Sequence, residues 1–150
     1  MLRQLLLILP LVLIAGCTAS PAQEPAQELD LTLPEGDVLT DIDTHGGFHG
    51  DGNSCLILAF SPENGETLAQ ELAEREDWRP LPLDEQSAHV LDSTLSLLDD
   101  EGLTYTLPSQ GWYWYLDRSP EGHQLEFPLN CTLAIYDSQS DQLAYFRSDA

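Results

Sequence analysis

Two imidazoles and three carboxylates fall within one short stretch of the chain, Asp41-Ile-Asp43-Thr-His45-Gly-Gly-Phe-His49-Gly-Asp51. These residue types ligate divalent transition metals, and His45, His49 and Asp51 form the nearest approach to a donor set. The spacing matches neither a zinc signature nor a calcium loop. His45 and His49 are four apart, but Gly46, Gly47 and Gly50 oppose the helix that would bring them onto one face. Two readings stay open. One is a metal-binding or metal-dependent catalytic segment over Asp41–Asp51. The other is a glycine turn whose Asp and His side chains satisfy backbone donors.

Other chemistry is thinner. No serine stands in a G-x-S-x-G elbow, and neither a phosphate-binding loop nor a dinucleotide fingerprint occurs. Asp99-Asp100-Glu101 reads as a solvated helix end, and no catalytic residue is expected. Cys55 and Cys131 sit in strand-like runs of a chain with export features, so a disulfide between them is expected. The absence of C-x-x-C argues against thiol redox catalysis. In Trp112-Tyr-Trp-Tyr115, strand alternation puts Trp112 and Trp114 on one face and Tyr113 and Tyr115 on the other. If one of those faces is open, it is an aromatic surface suited to a peptide, glycan or protein partner.

Charge narrows the partners. The 150 residues carry 26 Asp and Glu against five Arg and no Lys, a formal net charge of -21. Such a chain repels a polyanion, so nucleic acid is excluded as a partner. Mutual repulsion among the acids is expected to raise their folded-state pKa values on average, favouring pH 5 over pH 8 for stability.

The N-terminus gives an address. Arg3 precedes an apolar run from Leu5 to Ile14, long enough for a signal h-region and too short to cross a bilayer. Ile14-Ala15-Gly16-Cys17 then resembles the lipobox of bacterial lipoproteins. That resemblance implies removal of residues 1–16 and covalent lipid on the Cys17 thiol, with no other cofactor expected. Two acyl chains give stable attachment, so the expected location is the cell membrane, lipid-anchored on the extracytoplasmic side. Residues 17–36, rich in Pro, Ala and Gln at their start, read as a disordered tether. The single folded domain is expected over 37–150.

Within it, apolar runs at Val38–Ile42, Cys55–Phe60, Trp112–Asp117, Cys131–Tyr136 and Leu143–Arg147 predict strands. Ser61-Pro62 opens a helix with a stripe at Leu68, Ala69, Leu72 and Ala73. Asp84 caps a second, with a stripe at Ala88, Leu91, Leu95 and Leu98, and Gly102 ends the helical segment. The order ββααβββ predicts an α+β domain: a mainly antiparallel sheet of about five strands with two helices on one face.

Several stretches together, Asp43–Gly52, Trp78-Arg-Pro-Leu-Pro82, Gly111–Arg118 and Thr132–Asp137, resemble a group of small uncharacterised proteins of clostridia-type bacteria. The resemblance implies a shared fold and a bacterial envelope origin, and it transfers no site residue. The expected function is that of a membrane-tethered binding or interaction module.

Overall fold

The apolar runs form the strands they predict. The computed structural model describes residues 20–46, 50–120 and 130–150. In chain order the elements are α1 (Gln23–Glu28), β1 (Gly36–Asp43), β2 (Gly52–Phe60), α2 (Pro62–Glu74), β3 (Arg79–Pro80), α3 (Glu85–Leu97), a 3-10 turn (Asp99–Glu101), β4 (Gly111–Asp117), β5 (Cys131–Asp137) and β6 (Gln142–Asp149). Every paired strand is antiparallel, in the order β1-β2-β6-β5-β4-β3. The α+β class stands. The sixth strand, β3, is two residues long and carries none of the apolar alternation that marks the others.

The helices lie on both faces of the sheet, not on one. On the front, Leu68 and Leu72 of α2 and Leu29 at the end of α1 pack on Leu56, Leu58, Tyr136, Leu143 and Tyr145. On the back, Val90 and Leu91 of α3 and Leu98 beyond it pack on Cys55, Ile57, Leu133, Ile135 and Phe146. The reason is visible in β5, where Cys131 to Tyr136 are all buried. An unbroken apolar run needs cover on both sides. The expected stripe of α3 holds at Leu91 and Leu98, with Ala88 and Leu95 half-buried, and it widens to the buried Ser87, Val90 and Thr94; Thr94 meets Ser148 hydroxyl to hydroxyl at 3.3 Å.

The helix starts follow their caps. Ser61 Oγ accepts from Asn64 N at 3.3 Å, and Asp84 Oδ1 accepts from Ser87 N at 2.8 Å. A close approach then locks α2 to the β5–β6 turn. Tyr136 donates its hydroxyl proton to the Gly65 carbonyl at 2.8 Å, and a Cβ on Gly65 would stand 2.3 Å from Asp141 Oδ1. Only glycine lets the helix come that near.

Two sequence expectations fall here. The stretch read as a tether is ordered from Gln23: α1 forms, and Leu29 and Leu31 are buried against the front face. Periodicity missed it because six residues are too few to show a stripe. The Cys55–Cys131 disulfide is absent, and both thiols are free and buried. Cys55 lies opposite Phe146 of β6, and Cys131 opposite Ser148 of the same strand. The two therefore flank β6, two strand spacings of ~4.8 Å apart and two residues out of step, about 12 Å in all, beyond the ~7 Å Cα separation a disulfide can span. Burial pushes the Cys55 thiol up to about 12 and the Cys131 thiol up to about 11.

Two measurements on residues 20–150 check this packing. Thiol alkylation without reductant is expected to add two adducts after unfolding and none to the native domain. Urea titration is expected to show Leu72→Ala costing about 3 kcal/mol and Leu97→Ala, on the exposed face of α3, changing stability by about 0.5 kcal/mol or less.

Candidate functional site

The front face is apolar along most of its length and turns polar at one end. Pairing carries a single row across the sheet there: Asp43 opposite Ser54, Ser54 opposite Arg147, and Arg147 opposite Thr132. Helix α1 lies over this row. Glu24 and Glu28, four apart and so on one side of the helix, reach down to it. Arg147 Nη1 donates to Glu24 Oε1, and Tyr145 donates its hydroxyl proton to Glu28 Oε2. Thr132, fully buried, donates to Glu28 Oε1 at 3.0 Å and accepts from Arg118 Nε at 3.1 Å.

Asp149 sits at the centre. Its Oδ1 accepts from Arg118 Nη1 at 2.5 Å and its Oδ2 from Arg147 Nε at 2.7 Å. Arg118 Nη2 also donates to the carbonyls of Cys131 and Ser148, at 3.0 and 3.2 Å, fixing its plane. Burial works to raise the Asp149 carboxyl, but hydrogen bonds from the two guanidinium groups outweigh it and hold the acid below its usual range.

His45 enters from the end of β1. Its backbone N–H donates to Asp43 Oδ1 at 2.9 Å, and its Nδ1 lies 2.6 Å from the same oxygen. That backbone bond and then the imidazole contact hold the Asp43 carboxyl below its ordinary value. On the other side, His45 Nε2 is 3.2 Å from Asp149 Oδ2, within ion-pair reach but off the line of a hydrogen bond. The approach depends on Gly52, where a Cβ would stand 2.7 Å from the backbone N and Cα of His45. A cleft of about 250 Å³ opens beside these groups, lined by Glu24, Asp43, His45, Ser54, Arg147 and Asp149.

Of the proposed metal ligands, His45 has its Nδ1 on Asp43 and its Nε2 near Asp149 without a hydrogen bond to it. Asp51 is exposed, and His49 lies outside the described residues. Among the described residues no group of three His, Cys, Asp or Glu side chains is placed to hold a metal ion. Asp43 accepts from the His45 N–H, as the turn reading expects of its aspartate, while Gly47 lies outside the described residues. The aromatic strand is covered on both sides. Trp112 and Trp114 pack on the front cluster, Tyr113 and Tyr115 on the back one, and Tyr115 accepts from Gln86 Nε2 at 3.2 Å. Tyr113 is buried, and Trp112, Trp114 and Tyr115 are half-buried.

Sequence reasoning missed the α1 clasp altogether. Its signals were the Glu24/Glu28 spacing and the scarcity of positive charge. Each of the four arginines among the described residues is ion-paired with an aspartate: Arg75 with Asp77, Arg79 with Asp84, and Arg118 and Arg147 with Asp149. Arg75 also donates to the Asp30 carbonyl at 2.8 Å, closing the chain behind α1. Local pairing therefore decides the resolved carboxylate shifts, and Asp43, Asp77, Asp84 and Asp149 all move down, opposite to the rise expected from repulsion.

No protein-family model, curated protein or solved structure matches the chain.

The sign of the pH response follows from the lowered acids. A carboxyl whose folded pKa lies below its unfolded value, about 3.9, contributes stability that is present above that value and lost as pH falls through the folded one. Residues 20–150 are expected to lose stability below about pH 4. Asp149→Asn is expected to lower stability at neutral pH by about 2 kcal/mol, because it removes the negative charge and one of the two acceptor oxygens shared by two partly buried guanidinium groups, and to flatten that acid limb. Urea titrations at neutral pH and at about pH 3 read both effects.

Proposed function

We propose that the chain is a bacterial lipoprotein, anchored through Cys17 on the extracytoplasmic face of the cell membrane, whose domain is held close to the bilayer as a binding or interaction module. The supporting observation is the position of α1. Ile14-Ala15-Gly16-Cys17 resembles a lipobox, and α1 starts at Gln23, six residues after the cysteine. Six extended residues reach about 20 Å, a far shorter leash than twenty would give. The clasp of Glu24 and Glu28 onto Arg147, Arg118, Thr132 and Tyr145 passes that constraint directly into the sheet. No helix among the described residues is long and apolar enough to cross a membrane, so in this reading attachment falls to the lipid. With 26 acids against four arginines after residue 16, a net charge of -22, the domain stands off anionic headgroups and does not lie on them.

Growth of expressing bacteria with radiolabelled palmitate tests the anchor. Wild-type protein is expected to take up label and to sediment with membranes after alkaline washing. Cys17→Ala is expected to take up none. Unlabelled wild-type protein would end the lipoprotein reading. Leash length is read separately by amide exchange: Leu29 and Leu31, whose N–H groups donate to Pro25 and Ala26 carbonyls at 2.9 and 3.0 Å, are expected to be protected. Arg147→Met is expected to lower that protection at least tenfold.

A further inference from the structure

The two edges of the sheet are unlike. One ends in β3, two residues that include Pro80, which has no N–H to offer. The proline blocks pairing on β3, and beyond it β4 leaves only the four residues from Trp114 to Asp117 without a strand beside them among the described residues. The other edge is β1, eight residues without proline, antiparallel to β2 along one side only. Along a strand, alternate residues turn their N–H and C=O groups away from the existing neighbour. Among the described residues no backbone group outside β2 bonds to Gly36–Asp43.

The side chains along this edge select an occupant. Val38 and Leu39 are 45 % and 54 % exposed, two of the five large exposed apolar side chains among the described residues. The register shifts between Val38 and Thr40, so Leu39 is bulged out of the ladder. Asp37 lies opposite Ala59 and Asp41 opposite Leu56, which places one acid on each face of the sheet at its rim. Both are exposed, whereas Asp43 is already taken by His45. A second copy of this chain would bring like charges opposite one another and oppose the net charge of -21. A strand carrying Lys or Arg beside apolar residues would meet Asp37 and Asp41 and cover Val38 and Leu39.

We propose that β1 is a docking edge for an extended, basic segment of another polypeptide, which adds to the sheet as a seventh strand beside Gly36–Asp43. Main-chain hydrogen bonds would supply the affinity, and the acids at Asp37 and Asp41 the choice of partner. The inference rests on the reading of the domain as a binding module and gives that module a partner class. It does not depend on the lipid.

The test uses the full-length chain in detergent micelles and a fluorescein-labelled peptide of eight residues, Val throughout except for two Lys three apart, so that the added strand turns one Lys to each face. Anisotropy is expected to show saturable binding, at least tenfold weaker for the Glu/Val counterpart and for a peptide N-methylated at alternate residues. At saturation, outward-facing amides of β1 are expected to exchange at least fivefold more slowly. The pair Asp37→Lys and Asp41→Lys, on exposed positions, is expected to weaken binding at least tenfold with the circular dichroism spectrum unchanged. Absence of binding, equal binding of the N-methylated peptide, or slowed exchange elsewhere with β1 unaffected overturns the proposal. So does sedimentation showing that β1 is filled by a second copy. Failure of the palmitate experiment leaves the edge proposal standing, and failure of the peptide experiment leaves the anchor standing.

Discussion

A single carboxylate, Asp149, joins parts of the chain that are far apart in sequence. It takes Arg118 from the end of β4 and Arg147 from its own strand, and it stands beside His45 from the end of β1. The two arginines in turn hold Glu28 and Glu24 of α1. Remove the acid and two guanidinium groups, each with its side chain less than a third exposed, lose their shared partner. In a chain with 26 acids and five arginines, positive charge is the scarce component, so its placement organises the polar end of the fold. Repulsion among the remaining acids is spread over the surface, whereas the pairs are concentrated where backbone donors and carbonyls assist them.

Away from that end the organising constraint is apolar. β5 and β6 are buried on both faces, and the sheet is a middle layer between α1 and α2 on the front and α3 on the back. Two-sided cover explains the interior place of the aromatic strand and the cysteines. A residue inside a three-layer sandwich contacts its neighbours and nothing else, so exposure moves to the rims, and of the two rims β1 offers the longer unpaired strand among the described residues.

These two constraints meet in the proposed function. The clasp ties the N-terminal segment to the body of the sheet close to Cys17, so a lipid there would hold the domain near the bilayer and limit its reach. The open edge then has a defined neighbourhood, set by the length of chain between Cys17 and α1. A tethered acidic edge raises the local concentration of its groups for any basic strand in the same layer.

What the sequence alone determined is what depends on near neighbours in the chain. Strands followed from apolar runs of β-favouring residues, helix starts from Ser61 and Asp84, and the stop from Gly102, because caps and periodicity act over one or two turns. Cys55–Phe60, an unbroken apolar run, already pointed to cover on both faces, and giving it weight over the element count would have split the helices correctly. Only the tertiary structure decided which strands are neighbours. That order puts β6 between the two cysteines and keeps them apart. It brings Arg118, Arg147 and Thr132 into one row, and it turns six residues of Pro- and Gln-rich sequence into a docked helix by giving Glu24 and Glu28 positive partners more than eighty residues away. Pairings at such separation leave no local trace, since each residue is ordinary where it stands and acquires its role from the charge that the fold sets opposite it.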